Sequence, residues 1–409
     1  MWRTVFRAGA FGLALVAFLV GTPTSAALAA GPASGMTRYD QTDSRLSYSG
    51  NWVLFTKAAA WNGAYARANS SGASVTIRFN GTQIDWIAMK GVTTGKADVY
   101  LDGVLKATVD LANSTAIYQQ DVWSTGTLTT GLHTVKIVRN ATSATGKYVP
   151  IDAADVAGTL VPAAAPSVGA LAAIVIDAST GTVLYARNAD TRRAMASTTK
   201  IMTTILAIDG VSLTKVVTVS ARAAAVGGTS PWLKAGDRVT VEQLLYGALV
   251  AGENEAAFVL SEATSGTMEA FVTKMNQEAS TLGLTNTHYV NPVGFDASGH
   301  YTSARDLATL ARYAMQNAEF RKIVGTVSFT ITLPGHSTPS TYYNDDQVLG
   351  SLSGATGIKA GLTTNAGHCF TGSCTQSGKS VISVVLGESS WTSTYADSRD
   401  LLQYGINSL

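Results

Sequence analysis

A serine and a lysine three positions apart carry the sharpest chemical signal in this chain: Ser197 and Lys200, in Ala196-Ser197-Thr198-Thr199-Lys200-Ile201-Met202-Thr203. On a helix that spacing puts both side chains on one face, so the amine rises beside the hydroxyl. A serine hydroxyl is a weak nucleophile until a base takes its proton. A lysine acts as that base only where burial or a neighbouring cation leaves part of it neutral. Amides pointing out of the first helical turn add a place for an oxyanion. A bare Ser-x-x-Lys is a weak motif, because a capping serine beside a solvated lysine is its commoner meaning.

No metal and no cofactor is expected. His133, His288, His300, His336 and His368 fall in no ligand spacing, and there is no Gly-rich phosphate loop. The two cysteines, Cys369 and Cys374, lie in or beside a segment that reads as a strand, residues 366–373. Extended chain sets them about 16 Å apart on opposite faces, whereas a disulfide needs Cα atoms within about 7 Å. They are expected as buried thiols.

The elements that must position Ser197 and Lys200 are mixed. Residues 171–177 and 182–187 bracket Ala178-Ser179-Thr180-Gly181 as a hairpin, residues 197–209 and 241–265 read as helical, Val381 to Leu386 is a β-branched strand, and Tyr395 to Tyr404 reads as a closing helix. Strands at both ends with helices between predict an antiparallel sheet closed by its own termini. Residues 36–158 are different: Ser74 to Phe79, Gln83 to Ile87 and Ala97 to Leu101 read as strands, with Asn80-Gly81 and Asp102-Gly103 as turns. Almost no helical period appears there, which suits an antiparallel β-sandwich. Residues 159–168 read as a Pro/Ala linker, leaving 169–409 as the second domain.

With 409 residues, two domains are expected. The chain is 46% hydrophobic and 14% charged, with 29 Lys and Arg against 27 Asp and Glu and no basic run, so nucleic acid is not an expected partner. Arg3 and Arg7 precede an apolar run from Ala8 to Val20 and then Ala27-Leu28-Ala29, so residues 1–30 read as a signal peptide and the expected location is secreted, at the cell wall. The residues from Asp400 to Leu409 offer neither a basic amphipathic helix nor an apolar tail, and no C-terminal membrane anchor is expected.

Several segments, in order, resemble one family. Ala172 to Asn188, then Arg192-Arg193, then Ser197-x-x-Lys200, are similar to the opening of the low-molecular-mass penicillin-binding proteins, the D-alanyl-D-alanine carboxypeptidases. Asn291-Pro292-Val293-Gly294, Ser303-Ala304-Arg305-Asp306-Leu307, and Gly357-Ile358-Lys359-Ala360-Gly361 with Ala366-Gly367-His368-Cys369 resemble that family's later landmarks. The resemblance implies a multidomain chain ending in an α/β penicillin-recognising serine-enzyme domain, β-lactamase/transpeptidase-like, with an antiparallel sheet and a helical subdomain. It implies a peptidoglycan stem peptide ending in D-Ala-D-Ala as substrate and β-lactams as acylating ligands. By it Ser197 is the nucleophile, Lys200 the base and Asn254 the retained member of a Ser-x-Asn segment. Lys359, Ala360 and Gly361 bind substrate, and the N–H groups of Ser197 and Leu362 form the oxyanion hole.

Three positions depart from that pattern: Gly252 replaces the serine of Ser-x-Asn, Ala360 the threonine of Lys-Thr-Gly, and Thr394 an arginine. Each removes a group near the substrate carboxylate, and the expectation is reduced or altered turnover. Glu253 and Glu255, two apart, are expected to be solvated or salt-bridged, and His368 to pack or to line the cleft. His300-Tyr301 is expected to lead into a capped helix. Residues Tyr39 to Trp52, Ile84 to Ile87 and Val99 to Gly103 resemble galactose-binding-like, carbohydrate-binding-module jelly rolls, implying cell-wall glycan as a partner. Trp52, Trp61, Trp86 and Trp123 are the aromatics available for stacking on sugars, although core packing is commoner in a sandwich. The competing reading is a wall-binding protein that does not turn substrate over. β-Lactamase activity is less favoured, since no Glu can be assigned as deacylating base.

Overall fold

The computed structural model describes residues 31–409 apart from 228–232, 333–336 and 377. The expected signal peptide and His336 lie outside the described residues.

The named strands of the first unit all pair antiparallel. One sheet runs Thr37–Asp40, Ala153–Val161, Ser74–Lys90, Gly131–Arg139, Lys96–Leu101, Val104–Asp110, with Leu46–Ser49 and Ile117–Ser124 also on Ser74–Lys90. A second sheet, Val149–Ile151, Ala64–Ala68 and Trp52–Thr56, faces the same core. Asp102-Gly103 is the expected turn, both residues at positive φ.

Asn80-Gly81 is not a turn. It lies inside a single 17-residue strand, Ser74–Lys90. Gly81 pairs with Gly158 and Gln83 with Ala157, so Thr82 is the extra residue of a bulge. Val75, Ile77 and Phe79 face the core before it, and Ile84, Trp86 and Ala88 after it, so the inward parity switches there. The glycine serves close approach: a Cβ on Gly81 would stand 2.2 Å from the Ala157 carbonyl oxygen. Trp86 is a core residue, 1% exposed, and is removed from the set of sugar-stacking aromatics. The last strand of this unit runs to Val161, three residues into the expected linker, because Leu160 packs in the core and Val161 pairs with Arg78.

The second unit is built on a five-stranded antiparallel sheet ordered Val183–Arg187, Ala172–Asp177, Lys379–Glu388, Gly367–Gln376, Ala355–Thr363. The first and last strands of the unit's chain are neighbours, as the pattern predicted. Both faces are covered. Ile174, Val384 and Cys369 enter the core shared with the helices, while Val175, Val385 and Cys374 enter a second core under the C-terminal helix, Trp391–Ser408. Two buried faces explain why Val381 to Leu386 is apolar without alternation. The cysteines are free and buried on opposite faces.

Two helical expectations needed revision. Residues 241–265 form two helices, Val241–Leu249 and Asn254–Ser265, because Gly252 takes a φ of 75° and Glu253 is extended, so the chain turns out of the helix between them. The turn carrying Ser197 is 3-10, Ala196–Thr199, and the α-helix proper is Lys200–Gly210. A 3-10 turn eclipses positions three apart, which stacks Lys200 over Ser197.

Candidate active site

The Ser197 turn is wedged between two glycines. A Cβ on Gly294 would stand 2.0 Å from the Ala196 carbonyl oxygen, and one on Gly361 would stand 2.5 Å from the Ser197 nitrogen. Only bare backbone fits on either side. Ala196 itself holds a φ of 49°, costly for a residue with a Cβ, so the surrounding contacts impose this turn. Thr199 ties it from behind: its Oγ1 donates to the Ala196 carbonyl at 2.8 Å and meets His300 Nε2 at 2.9 Å. His300 Nδ1 accepts from the Val290 N–H at 3.0 Å, so the ring is neutral with its proton on Nε2, aimed at Thr199.

Ser197 is half-exposed, and Lys200 is fully buried beneath it. Lys200 Nζ lies 2.8 Å from Ser197 Oγ, 2.8 Å from Asn254 Oδ1 and 3.0 Å from the Val293 carbonyl oxygen. A neutral amine has two N–H donors and one lone pair. Asn254 and Val293 take the two donors, which leaves the lone pair for the Ser197 proton. Burial first, and the Lys359 charge second, push the Lys200 pKa well down, the direction that favours this neutral form.

The supports of Lys200 come from distant segments. Asn254 begins its helix just past the Gly252 break. Val293 is aimed by an Asx turn in which Asn291 Oδ1 accepts the N–H groups of Val293, Gly294 and Phe295 at 3.2, 2.7 and 3.1 Å. The expected capped helix is present, with Ser303 accepting from the Asp306 N–H.

Lys359 sits on the free edge of the sheet, 1% exposed, with Nζ 3.5 Å from Asp345 Oδ2. Its pKa is lowered, burial outweighing the pull of Asp345. The edge strand packs against the Ser197 turn, so Lys359, Gly361 and Leu362 are brought to the cleft beside Ser197, Lys200 and Asn254. An edge strand leaves alternate N–H groups without ladder partners, which is what an oxyanion donor on Leu362 requires.

Ala360 and Thr394 are not brought to the cleft surface. Ala360 packs in the core under the C-terminal helix, and Thr394 is fully buried with its hydroxyl donating to the Ser390 carbonyl at 2.6 Å. His368 Nδ1 meets the Glu388 carbonyl oxygen at 3.2 Å, and its ring stands edge-on to Trp391 at 4.7 Å.

The reading of Glu253 and Glu255 is corrected. Glu255 is 1% exposed with Oε2 unpartnered, and Glu253 is half-buried with its pKa pushed up to about 7 by burial and by Glu255. Neither is in an ion pair among the described residues. The helix break places Glu253 before the helix start, so helical spacing did not apply. Sequence reasoning also missed the Val293 carbonyl and Asp345. The Asn-Pro-x-Gly turn signalled the first, and nothing local signals the second.

A serine in contact with a buried lysine of depressed pKa, beside the edge of an antiparallel sheet, defines a penicillin-recognising serine enzyme. The D-alanyl-D-alanine carboxypeptidase family profile matches residues 160–390, more than half of the chain, and the chain belongs to that family. A D-alanyl-D-alanine carboxypeptidase from Streptomyces sp. (strain K15) is 36% identical over 271 residues, which cover 61% of this chain and 93% of the relative. DacF of Bacillus subtilis is 34% identical over 245 residues, covering 58% of this chain and 62% of that protein. The crystal structure of the Streptomyces K15 DD-transpeptidase superposes with a TM-score of 0.57 at 33% identity, covering 59% of this chain and 99% of that one.

Proposed function

We propose that this chain is an exported serine-type D-Ala-D-Ala carboxypeptidase acting on peptidoglycan stem peptides. The observation that carries the reading is the 2.8 Å contact between Lys200 Nζ and Ser197 Oγ in a site where the amine is fully buried.

Lys200 takes the Ser197 proton as Oγ attacks the carbonyl between the two terminal D-alanines. The N–H groups of Ser197 and Leu362 receive the oxyanion. Lys200 passes its proton to the leaving nitrogen, D-alanine departs, and a water activated by the same amine splits the ester. Asn254 and Val293 hold the amine on line throughout. Lys359 contributes positive charge near the substrate's end and depresses the Lys200 pKa. β-Lactams acylate the same serine.

Residues 36–161 act, in this proposal, as a jelly-roll module that tethers the enzyme to cell-wall glycan and raises its effective concentration there. Half-exposed Trp52, tilted against Tyr48 at 5.1 Å, supports a sugar platform in this unit. The domain reading is 1–30 export signal, a wall module from residue 36 to the end of its last strand at Val161, a linker from there to 168 and 169–409 catalytic domain. Fluorescent penicillin together with D-alanine release tests the enzyme: both signals are expected in the parent and neither in Ser197→Ala. Label without release would instead support the wall-binding protein that does not turn over.

A further inference from the structure

A cavity of about 520 Å³ lies where the two units meet. Its size is ordinary for a small-molecule site, and junctions between domains are where such sites are often found. Gln41, Tyr48 and Trp52 line it from the first unit, and Gln376 and Lys379 from the second. The two walls are in direct contact, since the C-terminal helix packs on the strand Leu46–Ser49. The reactive serine is far away. Cys369 pairs with Gly361 beside Ser197, and Gln376 stands seven residues further along the same strand, about 23 Å at about 3.3 Å per residue. A ligand in the cavity leaves the cleft open.

Three kinds of contact are on offer there. Trp52 Nε1 is spent on the Ser49 carbonyl at 3.1 Å, which fixes the half-exposed ring and leaves its apolar face for the C–H face of a sugar. Gln41 is 3% exposed, and its Oε1 has no hydrogen-bond partner. An orphaned buried acceptor costs free energy that a ligand hydroxyl would recover. The Gln41 backbone is pinned meanwhile, because Tyr48 Oη donates to its carbonyl at 2.7 Å. Lys379 is half-buried, its pKa lowered by burial, and it forms no ion pair among the described residues. Asp43, the carboxylate among the lining residues, is already held by Arg45 at 2.6 Å. The cation is left for a ligand. We propose that this cavity is a saccharide site shared by the two units, in which a sugar ring lies on Trp52, a hydroxyl donates to Gln41 and an anionic group, carboxylate or phosphate, meets Lys379. The inference rests on the wall-module reading of the first unit and adds that the catalytic unit supplies the charge.

Calorimetric titration of the whole chain tests this with hyaluronan tetrasaccharide as the carboxylate probe, poly(glycerol phosphate) bearing N-acetylglucosamine as the phosphate probe, and neutral chitotetraose. At least one acidic probe is expected to bind about tenfold tighter than chitotetraose, the worth of one charge-assisted hydrogen bond, and the tighter of the two names the source of the anion. Lys379→Met is expected to erase that difference and leave chitotetraose unchanged. Trp52→Ala is expected to weaken every probe by about threefold to tenfold. Release of D-alanine from diacetyl-L-lysyl-D-alanyl-D-alanine is expected to be equal in parent and variants, because neither residue is at the cleft, and it reports that the variants are folded. Saccharide binding that Lys379→Met or Trp52→Ala fails to move, or chitotetraose held as tightly as both acidic probes, overturns the inference and leaves the wall-module reading standing. A parent that releases D-alanine but binds no saccharide overturns both and leaves the hydrolase reading intact.

Discussion

The carbonyl oxygen of Val293 lies 3.0 Å from the Lys200 amine, 93 positions away in sequence. That contact and the one to Asn254 turn the lysine lone pair toward Ser197, so the amine is oriented as well as buried. A buried lysine without these two acceptors would satisfy itself on whatever oxygen was nearest, the serine included, and would then donate to the nucleophile rather than accept from it.

Replacing Lys200 by Met removes the base while keeping an unbranched side chain of similar length. The acylation rate with fluorescent penicillin is expected to fall about 10²–10⁴-fold, the usual worth of a general base. Intact-mass time courses measure it. An unchanged rate would mean that another group takes the Ser197 proton.

Acylation is expected to fail toward acid, because Lys200 must be neutral. Its pKa is held down by burial and by Lys359. Lys359→Met removes the like charge, raises the Lys200 pKa and moves the acid limb of the pH–rate profile to higher pH. A limb that stays in place or moves to lower pH contradicts this electrostatic coupling.

His300 is held neutral, its pKa lowered to about 4 from 6.5 by burial. A basic group depressed in the folded state protonates first in the unfolded chain. Stability is therefore full above about 6.5 and falls as pH drops toward 4, by up to about 3 kcal/mol. Urea unfolding at pH 7 and pH 4 should show that loss, and His300→Leu should remove His300's share of it. The same variant frees Thr199 and is expected to slow acylation about tenfold.

Gly294→Ala puts a methyl where the Ala196 carbonyl oxygen stands, in a residue at φ of 103°. A loss of about 2 kcal/mol or more is expected, with the Ser197 turn displaced and penicillin labelling lost. Gly354→Ala, in the turn just before the edge strand and away from Ser197, would collide with the Thr375 carbonyl instead and should lower Tm while sparing the label.

Much of the catalytic unit was legible locally. Ser197 and Lys200 are three apart, and any helical turn aligns them. The hairpin, the β-branched strand and the closing helix follow from period and turn chemistry. The opposed cysteines follow from the pleat, which sends residues five apart to opposite faces. What short-range pattern misjudged was backbone departure from regularity. Asn80-Gly81 has turn composition, yet a long strand passes through it with a bulge at Thr82, where bare Gly81 lets the Ala157-Gly158 backbone approach. Gly252 broke a helix that the apolar period ran straight across, and this moved Glu253 out of helical register.

Sequence alone thus determined which side chains can react, since reactivity begins with residue type and with spacing along one turn. Tertiary structure decided whether they do. The burial that depresses the Lys200 pKa and the Asn254 and Val293 oxygens that aim its amine, 54 and 93 positions away, join segments far apart in sequence. Desolvation and Coulomb forces depend on distance through space, and no local pattern encodes that distance.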